Sequence, residues 1–366
     1  MDEQNQAGRL FEYDGTISQL YRIFLPNLLL TIITFGIYRF WAITRNRRYI
    51  WSRLSFQGER FAYTGSGGEL FIGYLLALLI VAATTLATLG GATLLAHATH
   101  KTWILVLGIG LFYIVLLIMA GGAHFSAQRY RLSRTQWHGL HGGMQGSALA
   151  YGAWFLLYLI YNLCTLWQLS PWMTLRLAER RINASSFGNA RFDFQGTAGK
   201  LYAAFLATFV AVIGLIGAIL FCDIKLGLFV HLDEFGHYPT QGLNDFWRVM
   251  FSFYLPLVIG GLLAGCFYVA LVTRHIAGRT TLAGSMRFAS TLSGWRLLKL
   301  ILGNLLIAIG TLGLGYPVIL HRSLRVMADT LMVSGTIDPD TLQQNTDAAP
   351  RTGEGMLNLL DHGGAF

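Results

Sequence analysis

FAYTGSGGELFIGYLLALLIVAATTLATLGGATLLA, residues 61–96, is the stretch that decides the fold. It opens with Phe and Tyr two positions apart, a pattern typical of a short strand, and continues with Gly65-Ser66, which is typical of a turn and a helix cap. Residues 70–97 then contain no Asp, Glu, Lys or Arg. Because a membrane-crossing helix needs about 20 apolar residues, the stretch predicts a strand that leads into a transmembrane helix.

The composition of the whole chain agrees with a membrane protein. Of its 366 residues, 54% are apolar and 12% are charged, and the mean hydropathy is +0.50. Residues 103–121, 201–222 and 249–273 are also apolar runs without an ionisable Asp, Glu, Lys or Arg. Together with 70–97 they predict four spans in an all-α polytopic membrane protein. No removable signal peptide is expected in the polar N-terminus, residues 1–10.

Three further apolar segments are less regular. Residues 17–38, 148–170 and 296–317 each contain an Asn or Thr near the middle, and two of them contain a basic residue near the start. Gly and Pro residues interrupt the first and third segments, and such interruptions kink or break helices. The residues alone leave two alternatives open: kinked full spans, or re-entrant segments that return to the face they entered from.

Basic residues bear on this choice. Most of the 27 Lys and Arg residues lie in residues 39–60, 129–134, 176–200, 274–299 and 322–325. Because Lys and Arg near the ends of spans favour the cytoplasmic side, all five regions are expected inside. Seven full crossings would place some of them outside, whereas re-entrant segments would keep all of them inside.

Two motifs recur along the chain. TFGIYRFW from Thr34 is matched by TLWQLSPW from Thr165 and TLGLGYPV from Thr311, and each copy is followed by an Arg eleven positions after its Thr. FEYDGTISQLY from Phe11, FAYTGSGGELF from Phe61 and FDFQGTAGKLY from Phe192 share a second pattern. These matches predict internal repeats with short aromatic strands at the cytoplasmic face. The predicted parts are unit 1 (11–123), a basic linker (124–141), unit 2 (142–274), a partial unit 3 (275–335) and a disordered polar tail (336–366).

The repeated segments also supply the candidate functional residues. The polar intramembrane candidates, which either hold helices together or line a pathway, are Asn27, Thr34, Asn162, Thr165, Asn304 and Thr311. The basic arms after the motif are expected to be surface helices in the headgroup layer that face lipid or a partner; their residues are Arg45, Arg47, Arg48, Arg176, Arg180, Arg181 and Arg322. Trp41, Trp51 and Trp172 are expected to anchor at the membrane interface.

Several classes of function lack support in the sequence. The four predicted spans contain no acidic or basic side chain for a proton or ion relay, and no catalytic motif, metal-binding spacing or nucleic-acid-binding motif occurs. We therefore expect no enzyme activity, no metal and no cofactor. The expected partners are the lipid bilayer, with anionic phospholipid foremost, and a membrane protein, but no nucleic acid; the oligomeric state stays open.

The motif FxYxGT, the run NLLLTIITFGIYRFW and the pair RRYIW and FAYTGSGGELFIG resemble the YjgN-like family of bacterial inner-membrane proteins, a domain of unknown function. The resemblance covers about residues 8–335 and implies a multi-pass protein of the bacterial inner membrane. It implies no catalytic or binding residues. The third copy of the turn motif departs from the pattern because Val318 stands where the other copies have Trp.

Two functions follow as expectations. The first is a non-enzymatic transport or channel-like protein in which the polar repeated segments surround a central route. The alternative is a membrane scaffold or regulator that binds anionic lipid or a partner protein through its basic arms.

Overall fold

Short strands and helices alternate along the chain. The computed structural model describes residues 11–226, 247, 250–335, 342–344 and 354. The described helices are α1 (Ile17–Ile33), α2 (Arg39–Ser52), α3 (Gly67–Thr85), α4 (Gly91–Thr99), α5 (Trp103–Ser133), α6 (Ala148–Cys164), α7 (Ser170–Ala184), α8 (Gly199–Leu226), α9 (Leu255–Gly278), α10 (Gly294–Gly310) and α11 (Tyr316–Thr330). The described strands are β1 (Phe11–Tyr13), β2 (Leu54–Phe56), β3 (Glu59–Arg60), β4 (Ala62–Tyr63), β5 (Thr135–Trp137), β6 (Leu140–Met144), β7 (Ser185–Phe187), β8 (Ala190–Phe194), β9 (Thr280–Leu282), β10 (Met286–Ser290) and β11 (Leu331–Ser334).

Four of the helices that follow a strand, α1, α3, α6 and α10, begin at a hydroxyl cap. In each case the Ser or Thr side chain accepts a hydrogen bond from the backbone N–H three residues further on, which satisfies one of the free donors of the first turn. The cap pairs are Thr16 with Gln19, Ser66 with Glu69, Ser147 with Ala150, and Ser293 with Arg296. The turn-and-cap interpretation of the aromatic motif is therefore confirmed for the copies that begin at Phe11 and Phe61.

Four helices are long and apolar enough to cross a membrane. Within the described part of the chain they are Gly67–Thr99, Trp103–Ser133, Gly199–Cys222 and Met250–Gly278, and they coincide with the four predicted spans. The first joins α3 and α4 through the π-helical turn Leu86–Gly90, and the last begins with the π-helical turn Met250–Tyr254 before α9. The shortest has 24 residues, which at 1.5 Å per residue gives about 36 Å and exceeds the roughly 30 Å of a hydrocarbon core. Large apolar side chains stay exposed on all four, as lipid contact requires. The protein is a polytopic membrane protein.

The three irregular segments form shorter helices that turn back. α1, α6 and α10 have 17 residues each, a length of about 26 Å. The chain then reverses at Phe35, Leu166 and Leu312, whose φ angles are all 50°, and returns as α2, α7 and α11. We call the pairs α1/α2, α6/α7 and α10/α11 the short hairpins.

Strand pairing shows that each short hairpin ends where it began. β1 precedes α1 and pairs antiparallel with β2, which follows α2. β6 and β7 flank the second short hairpin in the same way, and β10 and β11 flank the third. The long helices are also enclosed by paired strands, β4 with β5 and β8 with β9. The two ends of each short hairpin therefore lie together, which favours the re-entrant alternative over a simple alternation of seven crossings.

The strands follow one another around a ring. One sheet has the order β1-β2-β3 and the other runs from β4 to β11 in chain order. β3 and β4 are separated only by Phe61, and β1 lies beside β11. We call this arrangement the strand ring. Its interior is an apolar core made by residues from most of the strands: Phe56, Trp137, Ala190, Leu282, Met286 and Val333, with Phe11, Phe61, Phe187, Phe192, Phe288 and Leu342 packed around them.

The helices keep the same circular order. α2 packs on α3, α5 on α6, α7 on α8, α9 on α10, and α11 on α1. The α5–α6 contact is close because Gly152 faces the backbone of α5: a Cβ added there would lie 2.0 Å from the carbonyl oxygen of Ile118. Close approach through small residues is the usual way for helices to associate in lipid. The bundle therefore surrounds an axis that the strand ring closes at one end.

Some predictions fall on residues that are not described. The N-terminus, residues 1–10, lies outside the described residues, and so does the tail from 336 onward except for 342–344 and 354. Those four tail residues contact the folded part of the chain, as shown below. The internal duplication, the unit boundaries and the cytoplasmic orientation of the strands stay predictions.

Candidate functional site

The three Thr residues of the turn motif bond within their own turns. The Thr34 hydroxyl donates to the carbonyl of Leu30 (2.7 Å) and accepts from the N–H of Tyr38 (3.0 Å). Thr311 makes the equivalent pair of bonds, and Thr165 donates to the carbonyl of Tyr161 (3.0 Å). Each hydroxyl therefore stabilises the reversal of a short hairpin.

The three Asn residues connect the two legs of a short hairpin or its turn. The Asn27 side chain, 3% exposed, accepts from Arg45 of the returning leg (3.3 Å). Asn162 donates to Ser170 at the start of α7 (3.1 Å), and Asn304 donates to Ser323 of α11 (3.2 Å). These contacts favour a structural role for the predicted polar positions over a shared pathway.

The predicted basic arms are the returning legs α2, α7 and α11. They pack against the first legs, and their placement in the headgroup layer stays a prediction. Arg45, Arg48 and Arg176 are exposed, whereas Arg180, Arg181 and Arg322 are half-buried. Arg47 does not face lipid or a partner, because it is only 1% exposed.

The three Trp residues lie in different surroundings. Trp41 is 37% exposed and packs on Phe71 of α3, with ring centroids 5.9 Å apart. Trp51 is half-buried and its indole N–H donates to Thr135 at the start of β5 (2.9 Å). Trp172 packs edge-on against Tyr158 at 4.9 Å. Trp51 therefore ties the end of α2 to the strand ring.

A groove of about 620 Å³ opens between α6 and α7, near the strands β6 and β7. We call it the α6/α7 groove. Its polar and aromatic lining consists of Gln145, Ser147, Tyr151, Trp154, Tyr158, Arg176, Glu179, Arg180 and Asn183. The predicted arm residues Arg176 and Arg180 thus meet on one side of a concave surface.

Aromatic side chains fix one of these arginines. The Arg180 guanidinium lies 3.9 Å from the ring centroid of Trp154, a cation–π contact. Its Nε and Nη2 atoms both donate to the phenol oxygen of Tyr158, at 3.1 and 3.0 Å. Since a guanidinium has five N–H donors, three remain for a ligand. Arg176 pairs with Glu179 at 2.7 Å in an exposed ion pair, which water screens.

A second group of charges is buried near the axis. Arg47 of α2 forms two bonds with the carboxylate of Glu354, at 2.5 and 2.8 Å, and Arg131 of α5 lies 3.6 Å from the same carboxylate. Tyr63 of β4 accepts from Arg47 at 3.2 Å. We call these four residues the central cluster. Both Arg47 and Glu354 side chains are 2% exposed.

Burial sets the acid–base properties of this cluster. Burial lowers the pKa of Arg47, but the attraction and hydrogen bonds of Glu354 outweigh it, so the pKa is raised overall. Burial also raises the pKa of the Tyr63 phenol, against the opposing effect of the Arg47 cation. Arg47 therefore stays charged and Tyr63 stays neutral at physiological pH. Among the described residues, no three His, Cys, Asp or Glu side chains lie together as metal ligands would.

Sequence reasoning missed two groups of residues here, the aromatic pair of the α6/α7 groove and Glu354. Trp154 and Tyr158 are four positions apart on α6, as Arg176 and Arg180 are on α7, and this spacing places each pair on one helix face. That signal was available. No sequence pattern pointed to Glu354, because it lies in a polar tail 307 positions from its partner Arg47.

Comparison with known proteins places the chain among uncharacterised bacterial membrane proteins. Residues 9–359 match the family described as "Bacterial protein of unknown function (DUF898)". The chain is similar to "Inner membrane protein YjgN" of Salmonella typhimurium, with 27% identity over 92% of this chain and 91% of the relative. Proteins of the same name from Escherichia coli match shorter parts: 30% identity over 34% of this chain (33% of the relative) for O157:H7, and 36% over 20% (19% of the relative) for K12. No solved structure matches the chain.

Proposed function

Since this chain belongs to the DUF898 family of bacterial proteins of unknown function and is a multi-pass protein of the inner membrane, we propose that it is a non-enzymatic scaffold or regulator that binds the headgroup of an anionic phospholipid in the α6/α7 groove. The observation that carries the proposal is the placement of Arg176 and Arg180 beside Trp154 and Tyr158 in one concave surface.

The chemistry of the groove fits a phosphate ester. A guanidinium matches the geometry of phosphate oxygens and remains charged at all physiological pH values. Arg180 is held in place by Trp154 and Tyr158, so less side-chain entropy is lost when its free donors bind. Trp and Tyr are the residues that favour the headgroup level of a bilayer. The arginines would therefore contact the phosphate of a lipid, and the Trp and Tyr side chains would lie beside its headgroup.

The position of the groove supports the same proposal. Arg176 lies near the middle of α7, and Arg180 and Asn183 lie in its second half, which ends at the strand ring. We place the strand ring on the cytoplasmic side, because the basic regions gather around the strands. Anionic lipids give the cytoplasmic leaflet its negative surface potential, to which each basic residue adds about 1 kcal/mol of attraction. On this placement, the three short hairpins are re-entrant from the cytoplasmic side.

Capture of lipid by the purified chain tests the proposal. The protein is reconstituted in nanodiscs of phosphatidylcholine with increasing phosphatidylglycerol, and bound phosphatidylglycerol is counted by native mass spectrometry. We expect R176Q/R180Q to lose one tightly bound anionic lipid. The matched control is R287Q/R325Q, which removes the same charge from exposed arginines outside the groove.

Equal lipid retention by the two double variants would contradict the proposal, because net charge and not the groove would then decide binding.

A membrane protein partner is the other expected ligand of the exposed arginines, and nucleic acid is not expected. The oligomeric state is left open.

Transport of a solute is the second candidate function. The observation that favours it is the circular order of the helices, together with the buried pair Arg47–Glu354 and the half-buried Arg131 beside it. In this proposal the route follows the axis. Thr34, Thr165 and Thr311 are the predicted lining residues, although their hydroxyls are bonded in the hairpin turns.

Flux into proteoliposomes tests this second candidate. Replacement of Thr34, Thr165 or Thr311 by a bulky apolar residue is expected to change the uptake of a solute while protein abundance stays normal. Unchanged uptake at normal abundance excludes those three sites from any route.

A further inference from the structure

The central cluster carries more positive than negative charge. Arg47 and Arg131 both approach one carboxylate, that of Glu354. Arg131 is also close enough to Arg181 to experience its charge, and the Arg181 guanidinium contacts the ring of His124. Taking charges out of water is costly unless each is paired. One carboxylate against several guanidinium groups leaves an excess that a further or stronger anion would compensate.

Arg47 has unused capacity to bind an anion. Its two Nη atoms reach Glu354 and Tyr63, but its Nε–H, which is buried, has no hydrogen-bond partner. A buried donor without a partner carries a desolvation penalty. The two parallel bonds to Glu354 are the geometry in which guanidinium binds either a carboxylate or a phosphate.

Glu354 reaches this place from the C-terminal tail, which is attached elsewhere. Leu342 packs against the core of the strand ring. The N–H of Asn189 donates to the carbonyl of Gln343 (3.1 Å), and the N–H of Gln343 donates to the side-chain oxygen of Asn189 (3.2 Å). The Gln344 side chain accepts from the N–H of His141 at 3.1 Å. Glu354 follows ten positions after Gln344, so it acts at the high effective concentration of a tethered group.

From these contacts we infer that Arg47 and Arg131 form a buried oxyanion-binding site for a carboxylate or phosphate group, which the Glu354 carboxylate fills from within the chain. An external anion competes with Glu354 for the same donors. The site shares no residue with the α6/α7 groove, and it does not depend on either proposed function.

Thermal unfolding of the purified full-length protein tests the inference. Inorganic phosphate is titrated against sodium chloride at matched ionic strength, and tryptophan fluorescence gives the unfolding temperature. We expect E354A to gain a saturable stabilisation by phosphate, with an apparent affinity on the order of tenfold or more above that of the wild type, because the internal competitor is gone. E354Q is the second variant, since it keeps the shape of the side chain without the charge.

The control is the double variant R47M/E354A, which removes both members of the buried ion pair and should fold, because the one charge left in the cluster, Arg131, has a side chain that is 20% exposed to water. We expect it to show no phosphate response. A parallel titration in phosphatidylglycerol and phosphatidylcholine nanodiscs distinguishes a lipid phosphate from free phosphate. Stabilisation of E354A or E354Q by either anion, and not of the double variant, supports the site. The inference is overturned if neither anion stabilises them or if the double variant responds equally.

Discussion

Replacement of Gly152 by Ala tests the close contact between α5 and α6. The ideal Cβ at this position lies 2.0 Å from the carbonyl oxygen of Ile118, 3.0 Å from the Ile118 carbonyl carbon and 3.1 Å from the backbone nitrogen of Gly122. Carbon and oxygen atoms normally approach to about 3.3 Å. The two helices must therefore separate by about 1 Å, since the atoms in the way are backbone and cannot rotate aside.

The expected cost follows from two opposing effects. Overpacking costs about 1–3 kcal/mol, and the upper end applies here because backbone atoms are involved. Gly→Ala in a helix gains about 1 kcal/mol of intrinsic propensity. The net destabilisation is about 2 kcal/mol, roughly a 30-fold change in the unfolding equilibrium.

Unfolding in mixed micelles with increasing sodium dodecyl sulfate, followed by tryptophan fluorescence, measures this difference. Gly110→Ala is the matched control, because Gly110 lies in α5 with no atom within 4 Å of its ideal Cβ. We expect G110A to be as stable as the wild type or slightly more stable. If G152A unfolds at the same detergent fraction as G110A, α5 and α6 do not pack as described, and the wall of the α6/α7 groove is not positioned by this contact.

Three further substitutions follow from the structure. Gly36→Val should destabilise the first short hairpin by about 1 kcal/mol or more, because Gly36 has a φ of +88°; an unchanged unfolding curve would show that the turn is not fixed. Ser147→Ala should cost about 1 kcal/mol through loss of the α6 cap and weaken lipid capture in the adjoining groove; a Thr at this position should restore both. Arg47→Met should cost about 3–5 kcal/mol, because it removes the bidentate partner of the buried Glu354 carboxylate. The control Arg60→Met removes a pair with Asp14 that is about half exposed and should cost at most about 1 kcal/mol. Equal effects of the two substitutions in chemical denaturation would contradict the buried position of Arg47.

The four spans were predictable because the bilayer leaves little choice. A run of apolar residues without charge has to be helical to satisfy its backbone in lipid, and length then decides that it crosses. The hydroxyl caps were also predictable, since a Ser such as Ser66 or Ser147 accepts from a free N–H group in the first turn of the next helix, and this bond is local and does not depend on the tertiary fold.

The reversal of the short hairpins could not be read from residue type alone. Phe35, Leu166 and Leu312 adopt positive φ, a region that non-glycine residues rarely occupy. The next residue also has positive φ, and it is Gly36 or Gly313 in two turns but Trp167 in the other, so glycine alone does not identify all three turns. The charge distribution favoured the re-entrant alternative, but kinked spans explained the Gly and Pro residues equally well. Pairing of strands such as β10 and β11 across a whole hairpin favours the re-entrant alternative, and such pairing depends on long-range contacts.

The candidate site was predictable in part. The basic arms directed attention to Arg176 and Arg180, which line the α6/α7 groove. The same argument placed Arg47 at the surface together with Arg45 and Arg48, because it treated the whole basic arm as one surface. The helical period does separate them: Phe40, Thr44, Arg47 and Ile50 share the buried face of α2. Only the tertiary fold supplies Glu354 as a partner.

Thiol labelling of the full-length chain tests the central claim, that every pair of helices returns to the strand ring on one side of the membrane. Cys164, Cys222 and Cys266 are first replaced by Ala, and single cysteines are introduced at the exposed positions Glu59, Arg191 and Arg287. A membrane-impermeant maleimide is then applied to inside-out and right-side-out vesicles. We predict that all three positions label in inside-out vesicles only. Labelling of Arg191 and Arg287 positions from the side opposite to Glu59 would contradict the short hairpins and restore seven crossings.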